Sequence, residues 1–216
     1  SKKTTLNLFY NMSEISSSAL SEIICTRISH DLIGNIGAVS NAVELLEDGD
    51  MDFLDDIKSI LNVSSRVLSA RMKFFRMAFG LDSSNLENAE MIVKTCEEYV
   101  QTIGNQKNYP INLQLKLSNS EKYGRLLMLA VMVMADVVVK GGLIEAEDDA
   151  EKMVMAVSSA APLSIDKISA VKDIHNGILP GNKAQFAAMI YLQYLAEKES
   201  RPFKLSEYNG LEMVIG

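Results

Sequence analysis

Residues 16–48 read SSSALSEIICTRISHDLIGNIGAVSNAVELLED, and residues 52–79 read DFLDDIKSILNVSSRVLSARMKFFRMAF. In both segments apolar residues recur every three or four positions, which is the period of an α-helix with one buried face. Gly49 lies between them, where glycine favours the end of a helix and a tight turn. These features predict an antiparallel helical hairpin. Because a lone hairpin buries little surface, we expect two copies to pair as a four-helix bundle in a homodimer.

After Phe79 the long helical pattern ends, and a linker and a mixture of strand and helix patterns follow. Residues 80–85 read GLDSSN, which is typical of a linker. Helical and strand patterns then follow one another without regular βαβ repeats, so the predicted class is α+β. The predicted helices lie at 87–105, 120–139, 165–175 and 183–197, and the predicted strands at 111–117, 143–147, 153–158, 203–208 and 211–215. We predict a helical hairpin domain at residues 1–80 and an α/β domain at residues 86–216.

The composition argues against several classes of function. The chain has 216 residues, a formal net charge of −7, two histidines and two cysteines. Broad nucleic-acid binding needs a basic surface, so we expect no nucleic-acid partner. The few histidines and cysteines argue against a metal cluster, and we expect neither a metal nor a cofactor in this chain. Because no apolar run reaches the roughly 18 residues of a membrane helix, we expect a cytoplasmic protein without membrane contact.

His30 falls on the polar face of the first predicted helix. At about 100° per residue, the apolar stripe of this helix lies opposite His30. The stripe contains Ile24, Ile28, Leu32, Ile36, Val39, Val43 and Leu46. The face of His30 instead carries Thr26, Gly34, Gly37 and Asn41. Glycine inside a helix costs about 1 kcal/mol relative to alanine, and often indicates that another molecule approaches the backbone. The pattern predicts a docking surface around an exposed imidazole; an ordinary surface histidine beside helix-packing glycines is the alternative.

Residues 29–39, SHDLIGNIGAV, resemble the phosphoacceptor motif of two-component signalling, in which a helical histidine is followed by an acid and a leucine. Nearly the whole chain is similar to the alphaproteobacterial histidine phosphotransferases of the ChpT type. Residues 74–80, FFRMAFG, and Asp136 followed by residues 140–142, KGG, add to the resemblance. One position differs from the kinase version of the motif, which has proline five residues after the histidine. This chain has Asn35, which keeps its N–H group and does not force a kink.

The resemblance implies a fold, a reaction and partners. The fold is a dimerising hairpin followed by a histidine-kinase-ATPase-like α/β sandwich that no longer uses ATP. The reaction is the relay of a phosphoryl group between receiver-domain aspartates through phospho-His30. Beside the ring, Asp31 is expected to orient the imidazole or to hold a proton; a solvated surface acid is the alternative. The partners are receiver domains of a hybrid histidine kinase and of response regulators, and each receiver brings its own aspartate and Mg²⁺.

The second predicted helix carries cations but no acid between Ile57 and Leu81. A turn near Asp50 places Ala70 level with His30, so nearby cations are expected to flank the phosphohistidine and to steer an acidic receiver. Together with the polar face of the first helix, they form the predicted partner-binding set: Thr26, Arg27, Gly34, Gly37, Asn41, Arg71 and Lys73.

The sequence lacks the elements that hold MgATP in an active histidine kinase. By resemblance, such kinases carry an asparagine-bearing helix and glycine-rich boxes. Residues 126–140 contain no asparagine, and the chain has no Gly-x-Gly. We therefore expect a phosphotransfer protein rather than an ATP-dependent kinase. An ATP-using kinase and a non-catalytic dimeric scaffold that binds a receiver domain remain the alternatives.

Overall fold

The structure, a computed structural model, describes residues 11–47, 53–80, 86–207 and 210–216. Its helices are α1 (Ser17–Glu47), α2 (Leu54–Phe79), α3 (Ala89–Lys107), α4 (Ser120–Val137), α5 (Ile165–His175) and α6 (Ala187–Lys198). Its strands are β1 (Ile111–Lys116), β2 (Gly142–Asp148), β3 (Met153–Ser158), β4 (Phe203–Ser206) and β5 (Leu211–Ile215). Short 3₁₀ turns lie at Met12–Glu14 and Ala184–Phe186. The predicted α+β class is confirmed; the predicted turn at Gly49 and most of the linker lie outside the described residues.

Helices α1 and α2 pack against each other as the predicted hairpin. The predicted register is also correct, because the guanidinium of Arg71 on α2 donates to the backbone oxygen of Asp31 on α1. Helix α1 continues without interruption through Asn35, as expected for a residue that keeps its N–H group.

The predicted apolar stripe of α1 is buried in only one part of the helix. In the hairpin root, defined as residues 17–32 of α1, Leu20 and Leu32 belong to the main hydrophobic core. In the outer half, residues 33–47, the predicted core residues Ile36, Val43 and Leu46 are exposed. They lie beyond the main core, so a single chain leaves them uncovered.

The helical spacing of α2 predicts one buried stripe, formed by Ile57, Leu61, Leu68, Met72, Phe75 and Phe79. The buried face of the helix differs from this prediction. Met72 is 51% exposed, although its spacing predicted burial. Phe74 is fully buried, and its ring stacks on Tyr99 of α3 with centroids 3.8 Å apart. The last turns of α2 therefore contact α3 and α4 as well as α1, and a single-face pattern does not anticipate this second contact.

The five strands form one sheet in the order β1-β2-β3-β5-β4. Strands β1 and β2 are parallel, and the other neighbours are antiparallel. Alternate residues of β2 are buried and exposed, as in Ile144 and Glu145, which is the pattern of a sheet covered on one face. Helix α4 covers that face, and every side chain from Leu126 to Ala135 is buried.

The hairpin root shares its hydrophobic core with the sheet and its helices. One cluster of contacting buried side chains includes Leu20 and Leu32 of α1, Phe74 of α2, and the inward residues of α4 and the sheet. The division into domains at residues 1–80 and 86–216 stays a prediction. Outside the hairpin, α1 packs against α6 and the 3₁₀ turn at Ala184–Phe186.

The ends of α3, α4 and α5 meet beside the hairpin root. Helix α3 ends at Lys107 and is capped by Asn108, which adopts the left-handed conformation that asparagine tolerates, with φ 58°. Helix α5 follows Ser164, whose N–H donates to the oxygen of Val137 at the end of α4, at 2.9 Å. This contact brings the first turn of α5 to the last turn of α4.

Candidate functional site

A cleft of about 730 Å³ opens beside His30. Its walls come from α1, α2, the last two turns of α3, the end of α4, the first turn of α5 and the segment around Gln185. Six of the predicted site residues line it: Thr26, Arg27, His30, Asp31, Gly34 and Arg71. Gly37, Asn41 and Lys73 do not line it.

The imidazole of His30 stands at the edge of this cleft with 83% of its side chain exposed. Its Nδ1 lies 3.2 Å from Oδ1 of Asp31. A neutral ring with its proton on Nδ1 donates to this carboxylate, and the lone pair of Nε2 is then free to act as a nucleophile. The geometry therefore suits the predicted role of Asp31 in orienting the ring.

Asp31 is held in turn by Arg27. The Nε of Arg27 lies 2.7 Å from Oδ2 of Asp31, so the two carboxylate oxygens of Asp31 face Arg27 and His30 respectively. The two terminal nitrogens of Arg27 form a bidentate pair with Asp136 at 2.9 and 3.0 Å, and one also donates to the backbone oxygen of Gln185. Asp136 stands in the last turn of α4. The pair therefore joins the hairpin to the sheet-bearing part of the chain.

Arg27 is buried, which corrects the prediction that it is available to a partner. Burial lowers the pKa of Arg27, but Asp136 and Asp31 more than offset this effect and raise the pKa above its ordinary value. The guanidinium thus remains charged between two carboxylates. Its contacts are internal, and what it presents to the cleft is a fixed Asp31.

Arg71 lines the cleft but is also buried. Its Nε donates to the hydroxyl of Thr102 at 3.1 Å, and one terminal nitrogen donates to the side-chain oxygen of Gln106 at 2.9 Å. The other donates to the backbone oxygen of Asp31. Arg71 therefore ties α2 to α3 and to the turn of α1 that carries His30.

Lys73 does not flank His30, contrary to the prediction. Its Nζ lies 3.7 Å from Oε2 of Glu98 on α3. Two residues along a helix correspond to a rotation of about 200°, so Lys73 and Arg71 cannot face the same side.

The small residues around His30 leave bare helix surface. An added Cβ at Gly34 or Gly37 meets no atom within 4 Å, so neither glycine packs against another described part of the chain. Thr26 and Asn41 are exposed, and the hydroxyl of Thr26 donates to the oxygen of Glu22 one turn earlier. The face thus has the open character that the pattern predicted.

The described residues also bear on two other kinds of feature, a metal site and a membrane-spanning helix. No group of three or more His, Cys, Asp and Glu side chains there is arranged to hold a metal ion. None of the described helices has the length and apolar character needed to span a membrane.

Comparisons with known proteins extend these observations. No protein-family model matches the chain. Over 65 residues the chain is 43% identical to the protein phosphotransferase ChpT of Brucella abortus (strain 2308), a match that covers 30% of each protein. The resemblance to ChpT is confirmed. The chain is also similar to a solved bacterial phosphotransferase, with a TM-score of 0.71 and 22% identity over 94% of this chain and 98% of that one. This second likeness shows a shared fold.

The histidine kinase AdeS of Acinetobacter baumannii also aligns, with 11% identity over 86% of this chain and 95% of that one. Its TM-score of 0.36 is too low to support a further conclusion.

Two lysines of this ChpT-like chain complete the cleft, and sequence reasoning missed both. Lys107 donates from Nζ to the backbone oxygens of Ala135 and Val138, and Lys167 donates to that of Asp136 at 2.8 Å. They cap the free carbonyl groups at the C-terminus of α4. They reach the cleft from α3 and α5, and no local motif links either residue to His30. Asp136 had a weak sequence signal, as part of the resemblance.

Proposed function

We propose that this protein is a histidine phosphotransferase that carries a phosphoryl group on His30 between the aspartates of receiver domains. The observation that carries the proposal is the environment of His30. The imidazole is exposed, it is bonded at one nitrogen to Asp31, and it stands on a helix face with open space at Gly34 and Gly37. The resemblance to ChpT adds support.

The reaction proceeds by attack of the His30 Nε2 lone pair on the phosphorus of a receiver's aspartyl phosphate. The N–P bond forms as the bond from phosphorus to the aspartate oxygen breaks, and the aspartate leaves as a carboxylate. The ring gains positive charge when both nitrogens are substituted, and the carboxylate of Asp31 beside Nδ1 stabilises that charge. Phosphoryl transfer depends mainly on such positioning and charge compensation, and the reverse step delivers the group to a second receiver.

Arg27 and Asp136 act as positioning residues in this reaction. Arg27 bonds one oxygen of Asp31, which directs the other oxygen toward His30. Asp136 holds Arg27 with two bonds from the end of α4. Because Arg27 is buried and Asp31 mostly so, the ring is oriented by a fixed network rather than by mobile surface groups.

The receiver domain docks on the exposed face of α1. Gly34 and Gly37 allow the receiver to approach the helix backbone, and Thr26 and Asn41 offer hydrogen-bonding groups at the two ends of this face. The receiver supplies the aspartate and its own Mg²⁺. We propose that these encounters take place in the cytoplasm.

Two copies of the chain pair through the outer half of α1 and the first turns of α2. Exposed apolar side chains recur along both of its helices. They include Ile36, Val43 and Leu46 on α1 and Ile60 and Val63 on α2. Exposed apolar side chains on both helices of a hairpin are typical of an interface, and a four-helix bundle of two hairpins covers them.

The second part of the chain does not use ATP in this proposal. The side chains of α4 from Leu126 to Ala135 are all packed in the core. The region therefore offers hydrocarbon where a nucleotide site needs polar ligands. The sequence-level absence of Gly-x-Gly points the same way.

A phosphotransfer assay tests the proposal. The protein is incubated with a phosphorylated receiver domain of a hybrid histidine kinase from the same organism, and separately with MgATP. We expect acid-labile label from the receiver alone, and none in His30→Gln. The matched control is His175→Asn, because His175 is half-buried, bonded to Gln193 at 3.0 Å, and should leave labelling intact.

Two results would contradict the proposal. Label from MgATP alone would make the protein a kinase. Absence of label with receivers that nonetheless bind the protein would make it a scaffold, with His30 an ordinary surface residue.

A further inference from the structure

Among the described residues, three cationic side chains of the cleft have no carboxylate within ion-pair distance. The ion pairs among its described residues join Arg27, Asp31, Asp136 and His30. Arg71, Lys107 and Lys167 instead donate to neutral oxygens of a hydroxyl, an amide and the backbone. With four cations and two carboxylates, the cleft has a formal charge of +2 in a chain whose net charge is −7. The cleft is therefore a local positive region.

The two lysines lie close together. Both bond the carbonyl groups of the last turn of α4, Lys107 at Ala135 and Val138 and Lys167 at Asp136. Burial lowers the pKa of Lys107, and the charge of Lys167 lowers it further, while Asp136 raises it. The cleft thus holds two cations that repel each other. A bound anion would reduce this repulsion.

These lysines also retain donors for a ligand. An ammonium group has three N–H donors, of which Lys107 uses two and Lys167 one. Capping the carbonyl groups of a helix does not require this excess of charge, since the helix terminus carries only about half a negative charge. A phosphate dianion is the ligand that matches both the spare donors and the formal charge of +2.

We propose that this cleft is a binding site for a phosphate dianion, held by Lys107, Lys167 and Arg71. The dianion has two chemical sources. One is the phosphoryl group on His30, which lines the same cleft; this source rests on the proposed function. The other is a small phosphorylated molecule from solution, for which a volume of about 730 Å³ is sufficient.

Calorimetric titration with inorganic pyrophosphate at low ionic strength tests the site directly. We expect saturable binding to the unphosphorylated protein, and at least tenfold weaker binding to the double variant Lys107→Met, Lys167→Met. A tenfold loss corresponds to about 1.4 kcal/mol. The matched control is Lys94→Met, Lys172→Met, which removes the same charge from exposed positions of α3 and α5 outside the cleft. The control should bind within about twofold of the native chain.

The lysines cap α4, so each variant is first checked by thermal unfolding. If the double variant does not fold, Lys167→Met is compared with Lys172→Met on the same helix. The charge-retaining variant Lys167→Arg should keep the binding. The absence of saturable binding to the native chain, or equal binding by the cleft and control variants, would overturn the proposal.

A second titration separates the two sources. His30 is phosphorylated chemically with phosphoramidate, which requires no receiver domain, and the product is titrated with pyrophosphate. Loss of binding on phosphorylation would identify the phosphoryl group of His30 as the occupant. Retained binding would identify a phosphorylated molecule from solution. Because neither titration uses phosphotransfer, failure of the anion site is distinguishable from failure of the proposed function.

Discussion

The two halves of α1 contrast in how they are held. The hairpin root, residues 17–32, packs into the main core and carries Arg27, which bonds two carboxylates. The outer half, residues 33–47, contributes no side chain to that core cluster and exposes Ile36, Val43 and Leu46. His30 lies close to the boundary between them. The phosphoacceptor that we propose here would combine a well-packed support on one side with an open surface on the other.

Removing Arg27 should lower the free energy of unfolding more than any other change proposed here, because it breaks the ion pairs that hold the hairpin root. In Arg27→Met, Asp136 and Asp31 lose the cation between them, and breaking such a buried pair costs about 3–5 kcal/mol. Urea denaturation measures this loss. Arg66→Met, at an exposed position of α2, is the control and should change the free energy of unfolding by less than about 0.5 kcal/mol. Equal midpoints for the two variants would show that the pair does not support the root.

A matched pair of adjacent residues tests the apolar support of the root. Leu32 is 8% exposed and belongs to the main core, whereas Ile33 is 64% exposed. Leu32→Ala should lower the free energy of unfolding by about 2–3 kcal/mol, because it leaves a cavity. Ile33→Ala should cost less than about 1 kcal/mol in the same denaturation experiment. Similar losses would mean that the outer half is as well covered as the root.

A charge on the outer half should break the association of two copies. In Val43→Glu the carboxylate lies on the apolar surface that we propose as the dimer interface. Light scattering after size-exclusion chromatography should show the dimer weakened at least tenfold, about 1.4 kcal/mol. Ser65→Glu serves as the control, since it adds the same charge at an exposed position on the face of α2 opposite Ile60 and Val63, and it should leave the dimer unchanged. A native chain that is monomeric at all concentrations would refute the interface.

Gly34→Ala should have the smallest effect on stability, and in the opposite direction. The position is open, so alanine should stabilise the helix by about 0.5–1 kcal/mol. The added methyl group should nevertheless impede the receiver and lower kcat/KM for phosphotransfer by about tenfold, or 1.4 kcal/mol. Thermal unfolding and the phosphotransfer assay measure the two effects. A variant that is more stable and equally active would show that the receiver does not approach the backbone here.

Much of the secondary structure was predictable because its signals are local. Residues 111–117 alternate strictly, and β1 spans Ile111–Lys116. Helical spacing likewise identified α1 and placed His30 on its exposed face. The extent of burial was not predictable in the same way. Ile36 has the spacing of a core residue and is exposed, whereas Phe74 lies outside the predicted stripe and is buried. A periodic pattern gives the direction of a side chain but not the identity of what covers it.

The candidate site likewise contains some residues that local sequence patterns predict and others that only the structure shows. By itself the sequence determined His30, Asp31 and the bare face around Gly34, because residues one to four positions apart on a helix have fixed relative directions. Only the tertiary structure decided that Arg27 is buried between two carboxylates, that Lys73 pairs with Glu98, and that Lys107 and Lys167 line the same cleft as His30. Arg27 and Asp136 are 109 positions apart. Whether charges so distant in sequence pair or repel depends on the packing of whole helices, which no local spacing encodes.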